Sequence, residues 1–258
     1  MHLKILCLYH DLMNTYGDNG NLLSLKYRCQ QRNIKVETID FTIGSSAKLL
    51  EQADLFLMGG AEDRQQQIVA KDFSKEKIKI LKQKINSHIP GLFICGAYQF
   101  LGSYYQINQN KLAGLKISNH YTVSRSQEPR LIGDIVTKIT NQNLLKHPLF
   151  QLNENRLLIG FENHGGRTYL ADAKQALAQT IKGFGNNTTD KTEGLVINNL
   201  IATYLHGPIL PRNPRLADYL IEKALEIKYN QAVVLKPLND TEEQKNRRWL
   251  LNKLNVKN

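Results

Sequence analysis

Four short apolar runs, LKILCLYH (3–10), IKVETIDF (34–41), DLFLMGG (54–60) and GLFIC (91–95), punctuate the first hundred residues, with helical segments such as NLLSLKYRCQQR (21–32) among them. Apolar runs of this length, rich in β-branched and aromatic residues and bounded by turn residues, read as buried strands. Strands alternating with helices require right-handed βαβ crossovers, hence a mostly parallel sheet covered by helices on both faces. In such an α/β sheet the chemistry collects beyond the carboxyl ends of the strands.

The second half changes character. KISNHYTVSR, RLIGDIVTKIT, LLIGFENHGG, ALAQTIKGFG, GLVINN and LIATYLHG are strand-like and joined by short polar or glycine-rich turns, which predicts antiparallel additions or a mixed sheet. A helix is expected over 214–228, and a final amphipathic helix over 241–254 with Asn239 or Asp240 as its cap. With no internal repeat, low-complexity segment or Pro/Ser-rich linker, residues 1–258 are expected to form one domain, with the helix at about 240–256 as an extension.

The cysteine count excludes a disulfide scaffold: Cys7, Cys29 and Cys95 are odd in number, lack paired spacing, and point to a reducing cytoplasm. The apolar start MHLKILCLYHD is too short for a signal-peptide core, and no run approaches the ~18 apolar residues of a membrane span. The formal charge of +11 raises nucleic-acid binding. Lysines interleaved with acids in KDFSKEKIKILKQKI (71–85), and the lack of an aromatic-studded basic groove, favour solvated helix faces instead, so no nucleic-acid partner is expected. Attraction to anionic headgroups or to a pyrophosphate-bearing substrate stays open. No GxxxxGK[ST] loop and no His/Cys cluster with metal-ligand spacing occurs, so this chain offers no ATP or metal signature.

Cys95 falls where GLFIC ends and a small helix begins, the place of a nucleophile elbow; Gly96 and Ala97 leave the turn unobstructed, and a helix N-terminus favours thiolate. A small buried hydrophobe is the other reading of that thiol. A base would have to come from His10, His164 or His206, each ending an apolar strand, and spacing does not choose among them. The glycines of MGGAED (58–63) supply backbone N–H groups for an oxyanion or merely form a tight turn. Asp18 or Asn19, in YGDNGN (16–21), reads as a helix cap.

GLFICGAYQFLG, with a glycine pair after the third strand and a strand-ending histidine downstream, resembles the triad-type glutamine amidotransferases; Gln99 and Leu101-Gly102 add to the match. YGDNGN, MGGAEDRQQQ, PRLIGDIV, GFENHGGRTYL and YLHGPILPRNPRLAD, spread over residues 16–218, are similar to the cobyric-acid-synthase-like branch and, within it, to the glutaminase subunits of lipid II isoglutaminyl synthases. The resemblance implies a flavodoxin-like class I amidotransferase fold. It also implies Cys95 as nucleophile, His206 as its base, Gly60 and Gly96 as oxyanion donors, and Arg130 and Gln99 as glutamine-binding residues. Many triad enzymes follow the histidine with Pro-Glu; here Gly207-Pro208 follows, which leaves the group orienting His206 unassigned, with Glu162 a candidate. The resemblance further implies L-glutamine as substrate and no cofactor in this chain. The partner would be a MurT-like Mur-ligase subunit that uses ATP and magnesium to amidate lipid II, which puts the pair near the inner face of the membrane. A cobyric-acid-type enzyme or cysteine amidase with another acceptor, and a non-catalytic binding subunit, are the alternatives.

Overall fold

The computed structural model describes residues 1–256. Strands β1 (His2–Leu8), β2 (Lys35–Phe41), β3 (Leu55–Met58) and β4 (Gly91–Ile94) interleave with helices α1 (Gly20–Gln30), α2 (Asp63–Asp72), α3 (Lys75–Asn86) and α4 (Gly96–Leu101). Then come β5 (Tyr104–Ile107), β6 (Asn110–Ala113), β7 (Tyr121–Ser124), β8 (Leu131–Ile139), α5 (Gln142–Leu145), β9 (Leu157–His164), β10 (Arg167–Tyr169), β11 (Ala178–Lys182), β12 (Thr192–Glu193), β13 (Leu195–Ile197) and β14 (Leu200–Thr203). Helices α6 (Ile209–Arg212), α7 (Pro214–Tyr229) and α8 (Thr241–Lys253) close the chain.

The central sheet has six strands in the order β13, β14, β4, β3, β1, β2, parallel throughout except for β13 against β14. This is the expected α/β sheet, and its apolar strands explain it: β3 and β4 are buried at every residue, as strands covered on both faces must be. Successive connections leave β1 in opposite directions, to β2 and to β3. That makes a switch point where loops diverge and a crevice opens above the carboxyl ends. The expected antiparallel additions form two four-stranded sheets, β10, β7, β5, β6 and β12, β11, β8, β9; only the pairing of β5 with β7 is parallel. Among the described residues no helix is long and apolar enough to cross a membrane.

Helix α8 lies against the second of these sheets, where Leu251 and Leu254 pack on Val136, Leu157 and Ile159. Of the two expected caps, Asp240 holds the N-cap position, while Asn239 Oδ1 accepts the Thr241 N–H at 3.2 Å in the turn just before it. Asp240 makes no cap contact and instead accepts from Arg28 Nη1 at 2.7 Å. Arg28, buried on α1, also forks onto both carboxylate oxygens of Asp218 at 2.7 Å, and Arg32 reaches Asp218 at 3.0 Å. The cluster ties α1, α7 and the start of α8 together. Removing one member of such a buried set strands the others, which costs about 3–5 kcal/mol. Arg28→Ala is therefore expected to lower the unfolding free energy by that order, read as a lower urea midpoint at unchanged denaturant slope; a loss below ~1 kcal/mol would show the cluster to be neutral.

Candidate active site

Four loops at the carboxyl ends of β1, β3, β4 and β14 bring Asp18, Gly60, Cys95 and His206 together. Cys95 sits between β4 and α4 at φ 50°, ψ −102°, a conformation that costs a non-glycine residue of order 1–3 kcal/mol. Neighbouring backbone holds it there: the Cys95 N–H donates to Thr203 O at 2.9 Å, and its carbonyl accepts the Gln99 N–H at 2.9 Å. This is the geometry of a nucleophile elbow.

His206 follows β14 and is fully buried, fixed by paired backbone hydrogen bonds with Phe161 at 2.7 and 3.1 Å. Its Nδ1 lies 3.2 Å from Asp18 Oδ1. A carboxylate only accepts, so the proton is on Nδ1, and Nε2 is left with the Cys95 sulfur beside it and no nitrogen or oxygen partner. Burial pushes the imidazole pKa down, but the charge of Cys95 and the hydrogen bonds with Asp18 and Cys95 outweigh it, and the net direction is up. The ring edge of Tyr16 covers His206 at a centroid distance of 5.1 Å.

Gly60 makes this convergence possible. A Cβ built there would stand 2.7 Å from His206 Cε1 and 3.3 Å from both the Cys95 Cβ and Asp18 Oδ2, so any side chain would displace the imidazole. Its N–H, however, donates to Asp18 Oδ2 at 2.7 Å. The donor that the resemblance assigns to an oxyanion is thus engaged by a carboxylate in this structure. Gly96 lies close to Ala61: a Cβ on Gly96 would be 3.0 Å from the Ala61 nitrogen, and neither N–H has a protein acceptor among the described residues.

The remaining expectations divide. Glu162 does not orient His206; its two oxygens accept the N–H groups of Phe184 and Gly185 at 2.7 and 3.0 Å, and burial pushes its pKa up to about 7. His164 is buried, stacked on Tyr204 at 3.7 Å, and burial pushes it down to about 3. His10 is half-buried and 3.7 Å from Asp40. Gln99 lines the cavity beside Cys95, yet both ends of its amide are taken, by Gln66 at 3.0 Å and the Tyr204 hydroxyl at 3.2 Å. Arg130 lines the same cavity, of about 460 Å³, with its guanidinium held on Asn163 by bonds of 2.8 and 2.9 Å. Asp18, in YGDNGN, is not the helix cap that its position suggests: among the described residues no side chain caps α1, and the Asp18 carboxylate is hydrogen-bonded to His206 instead.

A doubly wound sheet with a strained cysteine, a buried histidine and a carboxylate at its carboxyl edge defines a thiol-dependent acyl-transfer site of the amidotransferase class. Residues 4–214 match the CobB/CobQ-like glutamine amidotransferase domain, and the chain belongs to that family. It is 41% identical over 227 residues, 86% of each chain, to the lipid II isoglutaminyl synthase (glutamine-hydrolyzing) subunit GatD of Staphylococcus aureus. To the GatD subunit of Streptococcus pneumoniae it is 38% identical over 239 residues, covering 92% of this chain and 86% of that one. In fold it is similar to a glutamine amidotransferase from Thermotoga maritima, with a TM-score of 0.50, 16% identity, and coverage of 98% of this chain and 90% of that one.

The Asp18–His206 contact makes a specific expectation. The charge of Cys95 and the contact with Asp18 both raise the imidazole pKa, and Asp18→Asn removes the second, so turnover should fall by ~10² or more and the alkaline limb of the kcat/KM profile should move to lower pH. An unchanged profile at full activity would remove Asp18 from the site.

Proposed function

We propose that this chain is the glutaminase subunit of a lipid II isoglutaminyl synthase, hydrolysing L-glutamine and passing the ammonia to a ligase partner, and that residues 1–258 act as one glutaminase unit. The observation that carries the chemistry is the buried His206 held between the Asp18 carboxylate and Cys95, which itself lines a cavity of about 460 Å³. The substrate and acceptor follow from the GatD relatives, whose similarity extends over most of both chains.

In this reading the Cys95 thiolate attacks the side-chain amide carbon of glutamine. The N–H groups of Gly96 and Ala61 receive the oxyanion, and Gly60 instead steadies Asp18. His206 Nε2–H protonates the departing nitrogen, so ammonia leaves and a thioester remains. A water then gives its proton to Nε2 and its oxygen to the acyl carbon, which releases glutamate and restores the thiolate. Asp18 keeps Nδ1 protonated and the ring in line throughout. Arg130, whose planar fork suits a carboxylate, holds the α-carboxylate of glutamine.

Ammonia is useful only where an activated acyl group waits for it. A MurT-like subunit would supply that group, using ATP and magnesium to activate the D-glutamate α-carboxylate of the lipid-linked stem peptide, which amidation converts to D-isoglutamine. The pair would work in the cytoplasm at the inner face of the membrane, where the lipid-linked acceptor lies.

The test separates the two half-reactions. In complex with the MurT-like subunit, the Cys95→Ala chain should lose glutamine-dependent amidation of lipid II, yet retain ATP-dependent amidation from ammonium at a pH where free ammonia exists. Loss of both activities in an intact complex, or amidation by the isolated chain, would reject this division of labour.

A further inference from the structure

Glutamine arrives as a zwitterion, so a site that selects it has to meet an α-ammonium group as well as an α-carboxylate and an amide. The cavity beside Cys95 is lined by two acids, Glu62 and Asp63, and two cations, Arg64 and Arg130, and of these Asp63 and Arg130 are the pair each oriented by a hydrogen bond to a neutral partner. The cation is Arg130, oriented by the side chain and carbonyl of Asn163. The anion is Asp63, the first residue of α2, whose Oδ1 accepts a hydrogen bond from the Tyr105 hydroxyl at 3.1 Å.

An acid in the first turn of a helix is ordinary, because it complements the helix dipole from any rotamer. The tie to Tyr105 is not part of that role: it comes from β5, 42 residues along the chain, and fixes which way the carboxylate points. Tyr105 is buried; desolvation first, and the charge of Asp63 second, push its hydroxyl pKa up, so it remains a donor. With Oδ1 engaged by that donor, Oδ2 has no protein partner among the described residues. Glu62, the neighbouring acid, makes no side-chain cap contact to hold it in place. A carboxylate preset by a hydroxyl, with one oxygen unengaged by protein, is suited to an ammonium group.

We propose that Asp63, positioned by Tyr105, binds the α-ammonium group of glutamine while Arg130 binds its α-carboxylate, so that the site recognises an amino acid and not a primary amide alone. The proposal rests on the glutaminase reading and deepens it.

The experiment compares glutamine with 4-carbamoylbutanoate, which keeps the carboxylate and amide and lacks the α-amino group, using the assembled complex. Asp63→Asn should lower kcat/KM for glutamine roughly tenfold or more, through KM with kcat nearly retained, and leave kcat/KM for the des-amino substrate unchanged. Asp63→Glu should recover part of the loss. Tyr105→Phe, which keeps the carboxylate and removes its tether, should shift the glutamine KM in the same direction by a smaller factor. Equal losses on both substrates in the Asp63→Asn and Tyr105→Phe complexes, or no loss on either, would overturn the ammonium site alone. Absence of glutamine turnover by the wild-type complex would overturn the glutaminase reading and this proposal with it.

Discussion

Everything at the candidate site depends on one buried hydrogen bond, from the imidazole of His206 to the carboxylate of Asp18. Burying either group alone would carry a desolvation cost of several kcal/mol and favour its neutral form. Together they remain polar in a place with almost no water, and the Gly60 N–H satisfies the second carboxylate oxygen. The consequence reaches Cys95, because an imidazole whose Nδ1 is committed to a carboxylate has one nitrogen left, and that nitrogen lies beside the thiol. The glycine is as necessary as the charged groups, since it leaves the space in which three side chains from distant loops can meet.

The parallel half of the fold was legible because a strand buried on both faces has almost no choice but to be apolar. LKILCLYH, DLFLMGG and GLFIC therefore announced themselves, and so did the cysteine interrupting the last of them. Pattern could not decide which of His10, His164 and His206 serves Cys95, since all three end strands; resemblance chose His206, the one the fold sets beside the thiol. The short strands of the second half were visible as strands, but which of them pair with which is a matter of long-range register that local patterning does not encode.

Asp18 and Glu162 show why the polar part of the site was harder. At a helix start an aspartate has a sufficient local explanation, and only the donor at Gly60, 42 residues on, draws it toward His206. Glu162, two residues before a histidine on the same strand, had the proximity expected of an orienting acid, yet the backbone N–H groups of Phe184 and Gly185 capture it. Asp240 likewise stood at a helix start and was drawn to Arg28. In all three cases a carboxylate went to the partner that tertiary structure supplied, which a reading confined to neighbours in sequence cannot foresee.

The three side chains that meet at Gly60 come from widely spaced points of the chain, Asp18 and His206 being 188 residues apart. During synthesis Cys95 leaves the ribosome long before the strand that precedes His206, and β14 is also what holds the elbow through Thr203. A nascent chain therefore carries Cys95 before either His206 or the Thr203 carbonyl that holds the elbow is in place. The arrangement around Cys95 is complete only once β14 lies beside β4, so the last strand of the parallel sheet is also the one that closes the candidate site.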